Sequence, residues 1–472
     1  MMYFPALDSF YESSGGLLDV LEIEPQTLWL HTQGVMRLDD RAFSGLQRWP
    51  QRKLVHGVGM PLAATVEPDS RQLAPWCDSI TRLQCPWASE HLAFQRVPDS
   101  RAAGASEHSG FLLPALQCAE SVALAAARID ALQRTSGVPI AFENSPNYLR
   151  PKRSEIPDGE FYARVAEKAD CGILLDLHNL WCNEQNGRQS MRQVMQCLPL
   201  ERVWEIHLAG GERRDGYWLD AHSDLVPPQV MEFCEEWLPR LPHLGAMIFE
   251  IIPEYIEAKG IPGDQLAAQL EAMRVLWRRR REPHTGPGAR LPANGPAAEA
   301  CEPQPTLSAA NWERALGALV NGREMPQELR HLALAQDPGV RVLRSLVESF
   351  RAGTLADGLT LSYRLLVLTL GDESTSLLMA EFWREQWPQP FVTDEMRAFA
   401  DFLRARIIAG RLDVPHLRSV LDYELSVTQT LDTGREDRVN FDCEPLTLLS
   451  ALARGEVPES LVPGNFELHV KQ

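Results

Sequence analysis

Short apolar runs alternate with longer amphipathic stretches over the first 281 residues of the 472-residue chain. The short runs have the length of strands, and the longer stretches repeat apolar residues with the period of a helix. The predicted strands are Met2–Ala6, Leu17–Ile23, Leu54–Val58, Pro86–Leu92, Val138–Glu143, Gly172–Leu177, Val203–Leu208 and Ala246–Ile251. The predicted helices are Leu113–Gln133, Gly159–Ala169, Met191–Leu198, Val230–Leu241 and Asp264–Arg281. Strands separated by helices indicate βαβ units, and eight of them in about 280 residues predict a (β/α)₈ TIM barrel.

A second pattern follows a segment rich in proline, glycine and alanine. Residues 282–306 contain six prolines and predict an extended linker between a barrel domain (1–281) and a second domain (307–472). The helices predicted for the second domain are Asn311–Val320, Gln327–Ala335, Val340–Ala352, Leu355–Leu370, Ser374–Trp383, Thr393–Ala409 and Pro415–Thr430. Val439–Phe441 and Phe466–Val470 are weak strand candidates. We therefore predict an α/β barrel followed by a smaller, mostly helical domain.

The composition of the chain indicates its cellular compartment and excludes some classes of partner. Asp and Glu outnumber Lys and Arg by 64 to 46, and the net charge of -18 repels phosphate backbones, so we expect no nucleic acid partner. The nine cysteines form no CxxC pair, which excludes zinc-knuckle and thioredoxin-type motifs. The N-terminal residues do not have the pattern of a signal peptide, and no apolar run approaches about 18 residues. These features predict a reduced, cytoplasmic protein without a membrane partner.

Ionisable side chains close six of the apolar runs. They are His56, His91, Glu143, Asp176, His207 and Glu250, and the sequence WLDAHSD adds Asp220 and His222 in a predicted loop. The carboxyl ends of barrel strands converge on one mouth, so we expect these side chains to meet there. Imidazole and carboxylate groups together suit divalent iron, zinc or manganese. Eight ligands are too many for one ion with open positions, so the sequence predicts a site for two or three ions.

Other polar residues near these strand ends are candidates for more than one role. His178 and Asn179 in LDLHNLW are candidate metal ligands, partners of the ligands or substrate contacts. Glu24 alternates with Glu22 in VLEIEPQ and is a candidate hydrogen-bond acceptor behind the metal ligands. Asn144 in ENSPNYLRP is a candidate substrate contact, and the alternative is that it caps a turn.

Six motifs, in order along the chain, resemble one known family. HGVGMPL, SEHLAF, ENSPNYLRP, LLDLHNLW, EIHLAGG and the DAH of WLDAHSD resemble the multinuclear non-heme iron-dependent oxidases, the family of the methanobactin-biosynthesis oxidase. The resemblance covers about Met2 to Arg281. It implies a (β/α)₈ barrel with two or three irons in mixed ferrous and ferric states, held by the eight residues given above. It also implies oxygen as co-substrate and oxidative modification of a ribosomally made precursor peptide, usually at cysteine.

The chain departs from the family pattern at three positions. Asn179 stands where at least one member has a further ligand, which leaves a third metal position open. Ala209-Gly210-Gly211 stands where many relatives have AGH, and Ile251-Ile252 stands where many have an Arg-Asp-like pair. Substrate handling is therefore open even if the iron site is retained.

The second domain has a fainter resemblance. LDVPHLRSVLDYELSV and VNFDCEPLTLLSALARGEVP are similar to helical partner proteins that are often encoded beside these oxidases and capture the leader part of the precursor peptide. The resemblance implies a peptide-binding domain fused in cis, which would raise the effective concentration of the peptide near the barrel. The alternative is a dimerisation domain or a purely structural helical bundle.

Two other enzyme classes use barrels with His and carboxylate metal sites. A zinc-dependent hydrolase of the apurinic-endonuclease type would clamp a phosphoryl group, but the acidic net charge disfavours it. A metal-dependent enzyme resembling sugar isomerases would need a catalytic Lys or His at the mouth, and His178 is a candidate for that role. Oxygen dependence separates the oxidase from both alternatives.

Overall fold

A computed structural model describes residues 1–32, 35–99, 105–280, 307–458 and 460–471. The predicted linker, residues 282–306, lies outside these described residues. None of the described helices is both long enough and apolar enough to cross a membrane.

The amino-terminal 280 residues contain the strands and helices of a barrel. The strands are β1 (Val20–Ile23), β2 (Trp29–Thr32), β3 (Val35–Leu38), β4 (Arg52–Gly57), β5 (Ala88–His91), β6 (Ala93–Pro98), β7 (Ser106–Pro114), β8 (Ile140–Glu143), β9 (Gly172–Asp176), β10 (Val203–Arg214), β11 (Tyr217–Asp224) and β12 (Ala246–Glu250). The helices are α1 (Asp8–Ser14), α2 (Asp40–Gln47), α3 (Leu73–Leu83), α4 (Ala119–Ser136), α5 (Asp158–Ala169), α6 (Leu177–Gln185), α7 (Met191–Cys197), α8 (Pro228–Trp237), α9 (Pro253–Lys259) and α10 (Gly263–Trp277).

Seven of these strands pair in parallel, in the order β1-β4-β5-β8-β9-β10-β12. The N-terminal residues close the remaining gap: Met2 forms a parallel bridge with Glu22, and its amide donates to the carbonyl of Phe249 at 3.1 Å. The predicted first strand, Met2–Ala6, is thus reduced to a bridge and is followed by a 3₁₀ turn at Pro5–Leu7. The predicted TIM-barrel fold is confirmed.

Two apolar layers stabilise the barrel. One layer fills the space between the sheet and the surrounding helices, and it includes Val55, Phe142 and Leu175. The other is an inner cluster to which several barrel strands contribute, made of Leu54, Trp87, Ala141, Leu174, Trp204, Ala246 and Ile248. Because alternate side chains of a strand point to opposite faces, both layers come from the same strands.

Three strand pairings outside the barrel were not predicted. They are the hairpin β2–β3, the hairpin β6–β7 and the antiparallel pair β10–β11. The pair β10–β11 corrects the prediction that Asp220 and His222 lie in a loop, because both are in strand β11. Its turn, Asp215-Gly216, has φ angles of 50° and 85°, and Asp-Gly is a strong signal for a tight hairpin turn. The predicted helix Leu113–Gln133 also begins too early, since α4 starts at Ala119.

The carboxyl-terminal region is mostly helical, as predicted. Its elements are α11 (Ala309–Val320), α12 (Pro338–Gly358), α13 (Thr360–Leu370), α14 (Asp372–Glu385), α15 (Val392–Ile408), α16 (Leu417–Thr433), β13 (Asp437–Cys443), α17 (Pro445–Ala453) and β14 (Pro463–Val470). The predicted helix Gln327–Ala335 is instead two 3₁₀ segments, Gln327–Leu332 and Leu334–Gln336. The predicted break between Ala352 and Leu355 is wrong, because α12 continues to Gly358.

One apolar cluster joins the carboxyl-terminal region to the barrel mouth. It combines residues of α11 and α12, such as Trp312 and Leu343, with residues of the barrel loops. The barrel contributes Ala64, Phe94, Val97, Leu113, Leu116, Cys118, Tyr148, Leu149 and Leu219. The first helices of the carboxyl-terminal region therefore pack on segments that lie next to the predicted metal ligands.

Candidate metal centre

The inner face of the barrel has apolar side chains at its floor and ionisable side chains at its mouth. Residues two apart in a strand share a face, so an apolar inner residue places the residue two positions later nearer the mouth. The pairs, apolar residue first, are Leu54 and His56, Ala141 and Glu143, Leu174 and Asp176, and Ile248 and Glu250. The sequence thus directs four predicted ligands to the same place.

His56, His91 and Glu143 form a first group of potential ligands. Glu143 Oε2 lies 2.7 Å from His91 Nδ1 and 3.3 Å from His56 Nε2. The other ring nitrogen of His56 contacts Ser89 Oγ at 2.9 Å, which holds Nε2 toward the group. Two imidazoles and one carboxylate whose ligand atoms lie this close together are a donor set that divalent transition metals accept.

His207 lies at the centre of the arrangement and takes part in two further groups. One contains Glu143 and Asp176, and the other contains Glu22 and Glu250. His207 Nδ1 is 3.1 Å from Glu250 Oε2, and its Nε2 is 2.8 Å from Glu22 Oε2. Since Glu143 and His207 each belong to two groups, the groups are contiguous and form one cluster.

Strand β11 supplies the remaining ligands. Asp220 and His222 join Asp176 in a further group, with His222 Nε2 3.1 Å from Asp220 Oδ1 and 3.5 Å from Glu250 Oε2. His222 has a φ of 46°, a left-handed conformation that is costly for a residue with a side chain. The amide of Ile252 donates to its carbonyl at 2.9 Å and helps to hold it there. All eight predicted ligands therefore converge on one cluster.

Several buried polar atoms of this cluster have no hydrogen-bond partner within the described residues. They are Glu143 Oε2, Asp176 Oδ2, both ring nitrogens of His207, His222 Nε2 and Glu250 Oε2. Buried polar atoms normally have partners, because an unpartnered one loses its solvation without compensation. Lone pairs of histidine and carboxylate that converge without hydrogen-bond geometry are what metal ions would satisfy. The residues present therefore fit the metal that the sequence predicts.

The electrostatics of the cluster also favour the binding of cations. Burial and the charges of Asp220, Glu143 and Glu250 raise the pKa of Asp176 well above its ordinary value. Burial also disfavours the charged form of His207, but neighbouring Glu22 and Glu250 raise its pKa well above the ordinary value. The negative charges of the crowded carboxylates thus favour proton binding by Asp176 and His207. Bound metal cations would compensate the same negative charges.

His178 contacts the predicted ligand Asp220 and belongs to none of the ligand groups found among the described residues. Its Nδ1 is 2.9 Å from Asp220 Oδ1, and its ring stacks on Trp181 with centroids 5.7 Å apart. A partner of this kind fixes the orientation of the carboxylate that it touches.

Asn179 and Asn144 connect the ends of β8 and β9. The Asn179 amide group donates to Glu143 Oε1 at 3.3 Å, and its backbone N–H donates to Asp176 Oδ1 at 2.6 Å. Asn144 Oδ1 accepts from the Asp176 N–H at 2.9 Å, and Asn144 Nδ2 donates to the Asp176 carbonyl at 3.0 Å. Both polar ends of Asn144 are thus used within the protein, and its role as a substrate contact stays a prediction.

Glu22 and Glu205 were not among the predicted ligands, although both are fully buried close to His207. Glu22 belongs to the ligand group with His207 and Glu250, and Trp87 Nε1 donates to Glu205 Oε2 at 2.9 Å. Burial and the Glu22 charge raise the pKa of Glu205 well above its ordinary value. Glu24 follows the end of β1, and burial raises its pKa. The period of two in VLEIEPQ and VWEIH is the signal that places these carboxylates on the inner face.

A separate group with ligand-like spacing lies in the carboxyl-terminal region. It consists of His416, Asp442 and Cys443, and His416 Nδ1 lies 2.7 Å from Asp442 Oδ1. This group is not part of the barrel cluster.

The barrel is similar in sequence to proteins of several bacteria. A UPF0276 protein of Anaeromyxobacter sp. (strain Fw109-5) is 30% identical over 232 residues, which cover 48% of this chain and 80% of that protein. A UPF0276 protein of Chromobacterium violaceum is 31% identical over 232 residues, covering 47% and 79%.

The chain also has distant likenesses among solved structures. D-allulose 3-epimerase from Methylomonas sp. is 14% identical with a TM-score of 0.36, covering 58% of this chain and 91% of that chain. D-psicose 3-epimerase from Clostridium cellulolyticum H10 is 11% identical with a TM-score of 0.38, covering 59% and 94%.

The family match is carried by the barrel. The sequence model of one protein family, the RiPP precursor modification enzymes MbnB/TglH/ChrH, matches residues 17–267. This range contains all eight residues that were predicted as ligands. This chain belongs to the family of RiPP precursor modification enzymes MbnB/TglH/ChrH.

Proposed function

We propose that this protein uses iron and oxygen to oxidise a ribosomally made precursor peptide, at cysteine, in the mouth of the barrel. Family membership supports the peptide substrate. The observation that carries the proposal is the cluster of eight His and carboxylate ligands with unpartnered buried atoms. Cysteine as the target follows the family resemblance and the affinity of iron for sulfur.

The charge of the cluster supports more than one ion. Four of the eight residues are carboxylates, namely Glu143, Asp176, Asp220 and Glu250. In the ionised state they balance the charge of two divalent ions, while the four imidazoles bind as neutral donors. The Glu143 carboxylate, which belongs to two of the ligand groups, has two oxygens and would help to hold more than one ion. We therefore infer at least two iron positions.

The protein side chains give the site a closed floor and an open edge. His207 and Asp176 are fully buried, whereas the side chains of His91, Asp220 and His222 are 16%, 12% and 22% exposed. A peptide side chain would approach from the edge that these three residues form. Iron held by the cluster would supply the oxygen activation and one-electron chemistry that amino-acid side chains lack.

The carboxyl-terminal region has a feature suited to holding the peptide. A cavity of about 390 Å³ lies between α13, β13 and α17, with walls that include Leu365, Leu448 and Leu461. His416 and Asp442 place polar groups at the same cavity. A pocket with apolar walls and a few polar groups can accept a peptide side chain. We infer that this region binds part of the precursor peptide.

Metal content after anaerobic purification from iron-supplemented cells tests the proposal. We expect about two to three irons per chain, with coupled ferric and ferrous Mössbauer signals. The His91→Ala variant should lose iron and oxygen consumption in the presence of cysteine-containing precursor peptide. The His331→Ala variant is the matched control, because His331 is exposed in the carboxyl-terminal region. Zinc at the same stoichiometry without iron uptake would instead favour a hydrolase, and a metal-free protein would contradict the proposal.

A further inference from the structure

Strand β11 separates the metal cluster from the carboxyl-terminal region. Its side chains alternate, and Leu219, Tyr217 and Ala221 pack in the cluster that α11 and α12 form with the barrel loops. Asp220 and His222, on the other face, belong to the ligand group with Asp176. The same short strand therefore has metal ligands on one face and carboxyl-terminal contacts on the other.

Tyr148 makes a second connection between the two sides. It is buried, and its phenol oxygen accepts a hydrogen bond from the backbone N–H of Asp220 at 3.2 Å. The ladder between β10 and β11 is irregular between Gly210 and Glu212, close to this position. The phenol thus anchors the backbone of a ligand where strand pairing is interrupted.

The backbone carbonyl of Tyr148 lies against the first turn of α12. Gly339 packs so closely on the Tyr148 carbonyl that a methyl group at Gly339 would overlap the carbonyl oxygen. Arg150, two residues further on, is also held from this side, because Asp337 Oδ2 accepts from the Arg150 N–H at 3.1 Å. The segment that leads away from Glu143 is therefore fastened to the start of α12.

We propose that Tyr148 is a positioning residue through which helix α12 holds Asp220 and His222 in their metal-binding arrangement. The carboxyl-terminal region would then complete the metal centre as well as bind peptide. The inference rests on the proposed iron site. It goes beyond that proposal because it assigns a dependence of metal affinity to contacts that touch no metal.

Fe(II) affinity of the full-length protein tests the inference, measured anaerobically by competition with a chelator. Tyr148→Phe removes only the phenol oxygen, and Gly339→Ala displaces the same segment from the α12 side. We expect each to weaken binding of one iron about 10- to 100-fold, the usual effect of losing a partner behind a ligand. The iron that is lost should correspond to one component of the Mössbauer spectrum of the parent, and this component should decrease in both variants.

Two matched controls separate positioning from general damage. Gly353→Ala lies in the same helix, but no atom of the described residues lies within 4 Å of the added methyl group. Tyr162→Phe removes the hydroxyl of another buried tyrosine, on α5. Both controls should keep the iron affinity of the parent. Thermal unfolding of all four variants verifies that each is folded before the iron affinities are compared.

The outcomes distinguish this inference from the proposed function. A parent that takes up no iron contradicts the proposed function, and the inference fails with it. A parent that binds iron while Tyr148→Phe matches it in affinity and spectrum overturns the inference alone. The same holds if folded Gly339→Ala binds iron like Gly353→Ala.

Discussion

His207 Nε2 lies 2.8 Å from Glu22 Oε2, and both side chains are completely buried. The opposite nitrogen of the same ring is 3.1 Å from Glu250, which belongs to the predicted ligand set. A carboxylate behind a metal-binding histidine fixes the ring and makes it a stronger donor. We therefore expect Glu22 to orient the His207 ring within the candidate metal centre.

We predict that Glu22→Gln lowers Fe(II) affinity by about 10- to 100-fold, because the neutral amide removes the negative charge that faces the His207 ring at 2.8 Å. Glu205→Gln is the matched comparison. Burial and the Glu22 charge raise the pKa of Glu205 and so favour its neutral form, which a neutral amide should replace with little effect. Chelator competition measures both variants. Equal losses in the two would contradict the distinct roles of these carboxylates.

Glu313 should make the attachment of α11 to the barrel sensitive to pH. Its carboxylate accepts from the Thr65 N–H at 2.7 Å, and burial raises its pKa from 4.5 to about 7. Because the folded protein holds the proton more tightly, stability is full below about pH 4.5 and falls as the pH rises to 7. The shift corresponds to at most about 3 kcal/mol.

Unfolding by urea between about pH 5 and 8 tests this effect on stability. The Glu313→Gln variant mimics the protonated side chain and should show a flatter dependence of unfolding free energy on pH. Glu324→Gln, at an exposed glutamate of the same region, should retain the slope of the parent. A parent whose stability rises over this interval, with an equal rise in Glu313→Gln, would contradict the assignment.

Metal removal should lower thermal stability. Ions that bind only the folded chain stabilise it by about 4 kcal/mol each when their concentration is a thousandfold above the dissociation constant. For two ions on a chain of this size, we expect chelation to lower the unfolding midpoint on the order of 10 °C. The Glu143→Gln variant should show a much smaller change on chelation, since Glu143 is shared by two ligand groups. Differential scanning calorimetry makes the comparison.

Breaking a buried ion pair should destabilise the carboxyl-terminal region. Arg351 Nε donates to Glu395 Oε1 at 2.7 Å, and both side chains are almost fully buried. Arg351→Ala should destabilise the protein by about 3–5 kcal/mol, because it leaves an unpaired buried carboxylate. Arg397→Ala breaks an exposed pair with Asp394 and should cost less than about 1 kcal/mol. Unfolding monitored at the tryptophans checks both, and iron content should not change.

The barrel strands, and the convergence of the six ionisable side chains at their ends, were predictable because each of these side chains closes a buried apolar run. That pattern could not tell Glu22 from Glu24, since the two share a face and their depth depends on how neighbouring strands are staggered. Strand β11 was missed because its side chains are half-buried on both faces and its pairing with β10 depends on the hairpin turn.

The end of α12 was mispredicted for a different reason. Gly353 lowers helix propensity, and the sequence pattern suggested a break there. The structure leaves open space around Gly353 while Leu355 is fully buried, so packing carries the helix on to Gly358.

The two-sided burial of β11 also restricts how the length of this segment can change during evolution. Inserting one residue between Gly216 and Leu219 would turn Asp220 and His222 away from the other potential ligands, because alternate side chains of a strand point to opposite faces. Inserting two residues would restore their direction. Tolerated length differences among relatives should therefore come in pairs within the strand. Single insertions should be confined to the Asp215-Gly216 turn, where the hairpin can lengthen without shifting the ligands.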